Sequence, residues 1–183
     1  MRSRTSFERL ALEHLDAAHN LAYRLVHGRP EAEDVVQDAY IRAFRAFGSC
    51  KGDIKPWLLA IVRNVAYRWL SDRKRRSNVI SIEEGLTPRE RASQALVASD
   101  EPSAETLLIA AEDRALVLDA LAELSPAFRE VLILREIEEL SYAEIAIVIG
   151  SPTGTVMSRL SRARAELKGR FEALMEKDKR DAV

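Results

Sequence analysis

SYAEIAIVIGSPTGTVMSRLSRARAEL, running from Ser141 to Leu167, decides how this chain folds. Ser141 with Glu144 three residues on is the capping-box pattern, in which hydroxyl and carboxylate each satisfy an otherwise orphaned N–H at a helix start. A cap of this kind contributes about 1 kcal/mol. Ile145, Ala146 and Ile149 follow at helical spacing, Gly150 stops the helix, and Ser151-Pro152 turns the chain into a last helix from about Thr153. Val156 and Leu160 stand four apart and can pack back on Ile145 and Ile149. The opposite face offers Thr153, Ser158, Arg159, Arg162 and, farther along, Lys168. That is the logic of a helix-turn-helix. Arginine can bond guanine through two parallel hydrogen bonds, about 1–3 kcal/mol of discrimination per contact. Thr153, Thr155 and the early backbone N–H groups can position phosphates. An amphipathic helix pair with a solvated basic face would show the same periodicity. The capping box, glycine turn, Ser-Pro restart and spaced arginines together favour DNA binding over it.

Moving toward the N-terminus, Ser125-Pro126 reads as N-cap and first-turn proline of a helix reaching about Ile137, preceded by a helix from about Glu105 to Leu124. Residues 77–104 change character: Ser, Thr, Pro and acids dominate, with a short helical piece expected near Arg89–Val97. That stretch is long for a loop inside one domain, so it reads as a flexible linker between two. Before it, Pro56 opens a helix to about Arg76 with a core face of Trp57, Leu58, Ile61, Val62, Val65 and Trp69. The loop GSCKGDIK separates this helix from one that begins at Pro30 and carries Val36, Ala39, Tyr40, Ala43, Phe44 and Phe47 as its apolar stripe. A first helix is expected from about Phe7 to Val26, broken by HGRP. The expected fold is therefore all-α: two small helical domains, 1–76 and 105–183, joined by an acidic flexible linker over 77–104, with a helix-turn-helix in the second.

The overall charge of −1 on 183 residues argues by itself against nucleic-acid binding, but the mean hides blocks. Residues 1–76 hold fifteen Lys/Arg against nine Asp/Glu, and residues 77–112 hold two against seven. Residues 113–183 hold eleven against thirteen, with most of the bases from Arg159 on. Such asymmetry says more about partners than the sum does. The single Cys50 excludes an intrachain disulfide, and His14, His19 and His27 form no zinc-ligand spacing. No apolar run approaches the roughly 20 residues of a membrane span, and the N-terminus lacks an apolar signal core, so a cytoplasmic protein without membrane insertion is expected. No phosphate-cradling glycine loop, metal motif or nucleophile–base pair is evident, so neither an enzyme nor a cofactor is expected.

The segment from Leu124 to Leu167, LSPAFREVLILREIEELSYAEIAIVIGSPTGTVMSRLSRARAEL, resembles the −35-recognising domain of bacterial sigma factors of the extracytoplasmic-function (ECF) group. EDVVQDAYIRAFRAF, Glu33 to Phe47, resembles the helix of that family that binds the polymerase clamp and begins −10 recognition. PWLLAIVRNVAYRWLSDRKRR, Pro56 to Arg76, resembles the helix that completes it. The resemblance spans about residues 7–171 apart from the linker.

It implies a factor that brings core RNA polymerase to promoter DNA in transcription initiation, under an anti-sigma factor. It implies that Asp34, Gln37 and Asp38 contact the clamp helices of the polymerase's largest subunit, where carboxylates and an amide suit a basic surface. Opening a promoter takes a base out of the stack, at about a few kcal/mol. The family meets that cost by binding the extruded base. Here the GSCKGDIK loop and the following helix supply Lys51, Asn64 and Arg68, with Arg42 and Arg75 completing the −10 set. Asn64 suits a base edge, and the cations suit phosphates. On the −35 side, Ser158 and Arg162 are expected to carry most specificity, with Thr153, Thr155 and Arg159 beside them, while Arg159 and Arg164 serve phosphate or packing. Met157 departs from the basic residue frequent there in relatives. Cys50 stands where an aromatic is common, either as an inert thiol or as a redox sensor. The linker is either a passive tether or a strand for a basic polymerase channel. The apolar face around Val35 and Tyr40 is the expected target of the anti-sigma factor. A stand-alone helix-turn-helix regulator, or a mimic that sequesters an anti-sigma factor, are the rival readings. The absence of a preceding receiver or ligand-binding pattern weakens the first, and the retained Asn64, Arg68, Ser158 and Arg162 weaken the second.

Overall fold

Prolines and short polar side chains set the helix starts. In a computed structural model, residues 4–77 and 116–181 are described, and among them all regular structure is helical. Helix α1 spans Arg4–Leu12, α2 Leu15–Val26, α3 Arg29–Ala46 and α4 Ile54–Ser77. Helix α5 covers 116–123, followed by α6 Pro126–Leu132, α7 Tyr142–Ile149 and α8 Thr153–Asp181. Pro30 sits in the first turn of α3, and Pro126 in that of α6, where a missing N–H leaves no bond unmade. The Ser125 hydroxyl accepts the Phe128 N–H at 3.4 Å. The linker, the helical piece near Arg89–Val97 and the start of the helix expected from Glu105 lie outside the described residues.

Four local features differ from expectation. The first helix is two helices, broken at Glu13–His14, where the His14 N–H turns back to the Ala11 carbonyl at 3.1 Å. The break lets its halves serve different apolar clusters. Phe7 and Ala11 pack with Ala43, Phe47, Cys50, Ile54 and Leu58, whereas Leu21, Ala22 and Leu25 join the main core. Helix α4 begins at Ile54 rather than Pro56, because the Asp53 carboxylate accepts the Lys55 N–H at 3.0 Å. Phe44, expected on the apolar stripe of α3, is 46% exposed and meets Phe7 of the smaller cluster edge-on. Finally, α6 runs into a π-helical turn, Ile133–Ile137, in which the Glu138 N–H reaches back to the Ile133 carbonyl at 3.0 Å. The extra residue looped into this turn brings Glu138 inward, where only 6% of it is exposed.

The helix-turn-helix is formed as its sequence dictates. Both halves of the capping box close: Glu144 N–H to the Ser141 hydroxyl at 3.3 Å, and Ser141 N–H to the Glu144 carboxylate at 2.7 Å. Gly150 takes the left-handed conformation, φ 62°, which lets the Ser151 N–H reach the Ala146 carbonyl at 3.1 Å. Ile145, Ile149, Val156 and Leu160 are all buried in one cluster.

That cluster is shared by both halves of the chain. Leu21, Val35, Leu59 and Val62 of the first module lie in the same core as Val131, Ile133, Ile145 and Leu160 of the second. Helix α4 packs on α7, and α2 on α6. Arg129, 4% exposed, ties the modules together: its guanidinium donates to the carbonyls of Leu121, Ala122 and Leu124 at the end of α5, and to that of Arg24 near the end of α2. It also contacts His27 Nε2. A cation suits these sites because helix C-termini present unpaired carbonyls and the negative end of the helix dipole. Burial holds its pKa down at about 10.

Candidate nucleic-acid and polymerase interface

Helix α3 is amphipathic, and the residues off its buried stripe face outward together. Val35, Val36 and Ala39 are buried, while Asp34, Gln37 and Arg42 are exposed and Asp38 is half-exposed. Leu15 and His19 of α2 with Glu33, Asp34, Val36, Gln37 and Tyr40 line an open groove of about 490 Å³ beside them. Asp38 and Arg42 also pair with each other, Arg42 Nε donating to Oδ1 at 2.9 Å and Nη2 lying 2.8 Å from Oδ2.

Of the apolar face expected around Val35 and Tyr40, Tyr40 is half-buried along the groove, and Val35 is buried and is corrected. Val35 is 1% exposed, and the Tyr40 hydroxyl donates to the Ala11 carbonyl at 2.8 Å. Burial, then the charge of Asp16, pushes that hydroxyl up to about 12. The apolar groups that α3 does present are Ile41 and Phe44, 45% and 46% exposed.

On α4, Asn64 and Arg68 stand one turn apart on the exposed side, with no hydrogen bond or ion pair among the described residues, and Lys51 is likewise exposed in the preceding loop. Arg75 makes long contacts with Ser71 and Asp72, at 3.5 and 3.8 Å. The two tryptophans are half-buried: Trp57 leans on Phe47, and Trp69 lies beneath the Arg73 guanidinium at 5.3 Å. Cys50 is buried in the smaller cluster, which shields its thiol from solvent oxidants.

The second helix of the helix-turn-helix, α8, sorts its cations by face. Arg159, Arg164 and Arg170 turn to the body of the module and pair with Glu130 at 3.5 Å, Glu136 at 2.7 Å and Glu123 at 3.2 Å. Thr155 is half-buried, while Thr153, Ser158 and Arg162 face solvent, and Arg162 has no ion pair among the described residues. The structure thus brings together Thr153, Ser158 and Arg162, and places Arg159 in packing. Met157 and Ser161 share the exposed face with them, Met157 at 54% exposure, a placement the same helical periodicity contains.

Sequence reasoning missed the charges between the modules. Glu130, fully buried, accepts Arg63 Nε at 2.7 Å and Nη2 at 3.2 Å. Burial alone would lower the Arg63 pKa, but the hydrogen bond and charge of Glu130 outweigh it and raise it. The Tyr67 hydroxyl is pushed up by burial first and by the charge of Glu130 second. Glu138 takes Lys55 Nζ at 3.2 Å on its carboxylate and 2.9 Å on its carbonyl, and Asn20 Nδ2 at 3.4 Å.

With this geometry in place, comparisons with known proteins agree on one family. The Sigma-70 region 2 model matches residues 10–76, and the Sigma-70 region 4 model matches residues 114–167. The RNA polymerase sigma-H factor of Pseudomonas aeruginosa is 35% identical over 175 residues, which cover 93% of this chain and 88% of that protein. The ECF RNA polymerase sigma-E factor of Escherichia coli K12 is 33% identical over 147 residues, 79% of this chain and 76% of that one. Among solved structures, the sigma factor RpoE in complex with the anti-sigma factor NepR from Bartonella quintana superposes with a TM-score of 0.69 at 29% identity, covering 91% of this chain and 96% of that one. No helix among the described residues is long and apolar enough to cross a membrane.

Proposed function

The chain belongs to the ECF sigma factors of bacterial RNA polymerase, and from that premise we propose how its surfaces divide the work of initiation. The outer face of α3, with Asp34, Gln37 and Asp38, docks on core polymerase, and the groove beside it receives a protruding partner side chain. Lys51, Asn64 and Arg68, with Arg42 and Arg75 at the margins, hold the opened −10 strand. Thr153, Ser158 and Arg162 read the −35 element, with Thr155 behind them. The division between promoter elements follows the modules, 1–76 for −10 and 105–183 for −35, with 77–104 between them. The factor acts in the cytoplasm, where the polymerase is, and contributes binding energy rather than catalysis.

One observation supports this reading above the others: Asn64, Arg68 and Arg162 are unpaired among the described residues and face solvent, while neighbouring arginines are spent on ion pairs. A cation or amide left free on a helix face is available for phosphate or base. Control by an anti-sigma factor is supported by the likeness to RpoE, a sigma factor solved with the anti-sigma factor NepR. Ile41 and Phe44 are the apolar groups that such a partner would cover.

Runoff transcription with purified core polymerase tests the proposal. Added chain is expected to yield discrete transcripts from a selected promoter library, and Asn64→Ala and Arg162→Ala are expected to weaken them. Absence of chain-dependent transcripts, with no inhibitor present, would refute it and favour a stand-alone regulator.

A further inference from the structure

The modules meet on two ion pairs arranged as a ladder. Lys55 and Arg63 stand eight residues apart on α4, and Glu138 and Glu130 stand eight apart, in opposite order, on α6 and the turn after it. Arg63 grips Glu130 with two donors at 2.7 and 3.2 Å, and Lys55 reaches Glu138 at 3.2 Å. Tyr67, one turn beyond Arg63, stacks under its guanidinium at 4.6 Å from the ring centre. A forked guanidinium, an ammonium and an aromatic ring along one helix make the donor set that sugar–phosphate backbone and unstacked bases accept. The strip also borders the outer face directly, since Arg63 precedes Asn64 and Tyr67 precedes Arg68 in sequence.

We infer that Lys55, Arg63 and Tyr67 form a second nucleic-acid-binding strip on α4, which the C-terminal module occupies in the closed chain with Glu130 and Glu138 standing where phosphates bind. This rests on the sigma-factor reading above and extends it to self-inhibition. A carboxylate and a phosphate present the same pair of oxygens to an arginine fork. What each partner keeps on separation distinguishes this pair from ordinary packing. Glu130 retains Arg159, at 3.5 Å on its own module. Among the described residues of its own module, Arg63 retains the face of Tyr67. Opening the modules therefore leaves the carboxylate paired and the cation available, beside the residues that meet the −10 strand. While they stay closed, α4 meets DNA with its outer half alone.

The experiment uses the full chain, free and in holoenzyme, with a fluorescent promoter fragment opened at its −10 segment as probe. Binding is followed against KCl concentration, and assembly with core polymerase is followed without DNA. Arg63→Gln and Lys55→Gln are each expected to lower the slope of log affinity against log salt by about 0.7–0.9, one phosphate contact, with assembly unchanged. Glu130→Gln is expected to raise the free chain's affinity for the probe about threefold or more, the opposite sign. Glu138→Gln, whose amide oxygen can still accept from Lys55 and Asn20, carries the same expectation if the Glu130 variant does not fold. Unchanged slopes in both cation variants overturn the inference, as does loss of core-polymerase assembly in Arg63→Gln, which would make the strip a protein-docking surface. Failure of the wild-type chain to assemble with core polymerase would instead strike the sigma-factor reading, and the free-chain DNA measurements then decide the strip alone.

Discussion

Asp38→Arg separates docking from folding, because the structure predicts a small cost on one side and a large one on the other. Asp38 pairs with Arg42 on α3, and both side chains are more than two-fifths exposed, at 46% and 43%. An exposed pair four residues apart contributes about 0.3–0.5 kcal/mol. Replacing the carboxylate with a guanidinium removes that and adds a like-charge repulsion of similar size, about 1 kcal/mol in all. For a chain of this length that lowers Tm by about 2–4 °C. At a charged protein interface, losing one partner of a close pair costs about 2–5 kcal/mol, or about 30- to several thousand-fold in affinity. Thermal unfolding of the variant, beside anisotropy of labelled chain titrated with core polymerase, measures both. Affinity within about threefold of wild type would remove Asp38 from the docking face. A fall in Tm beyond about 10 °C would show that the carboxylate holds the helix bundle together instead.

Other variants test the frame behind the surfaces. Arg129→Met removes the cation shared by the ends of α2 and α5 and strands four carbonyls, so a loss of about 3–5 kcal/mol is expected in denaturant unfolding; a loss under about 1 kcal/mol would mean that water satisfies those carbonyls. Tyr40 is raised from 10 to about 12, so its neutral hydroxyl stabilises the fold fully below pH 10, and that contribution disappears as pH rises through about 12. Tyr40→Phe should remove the corresponding late step from a tyrosinate absorbance titration and flatten the alkaline loss of stability. Arg162→Ala should relax preference at one base position in DNA selected by the holoenzyme, by about 1–3 kcal/mol; uniform weakening across all sequences would make Arg162 a phosphate contact.

What the sequence disclosed was what its signals keep local. Ser141, Glu144, Gly150 and the Pro-started helices announce themselves within four residues, because caps and turns close over that distance. The outward face of α3, proposed above for docking, was legible as an exposed face for the same reason: its apolar stripe defines the other side. The ladder between modules was not, since Arg63 and Glu130 are 67 positions apart and Lys55 and Glu138 are 83 apart. Without that partnership in view, Glu130 reads as one more charge on a helix. Arg159 is the converse case: periodicity sets it beside the exposed face, with phosphate and packing both open to it, and a buried carboxylate 29 residues away turns it inward. The break at Glu13–His14 escaped notice because the apolar spacing continues across it, though the two halves bury against different neighbours.

The π turn at Ile133–Ile137 gives the closed interface a place to absorb length. Such a turn takes up one extra residue locally, so removing a single residue from it restores ordinary helical winding and leaves every later side chain pointing nearly where it did. The Glu138 carboxylate would then still face Lys55. A one-codon deletion there is thus a change of length without a change of phase, and the two halves should stay coupled through it.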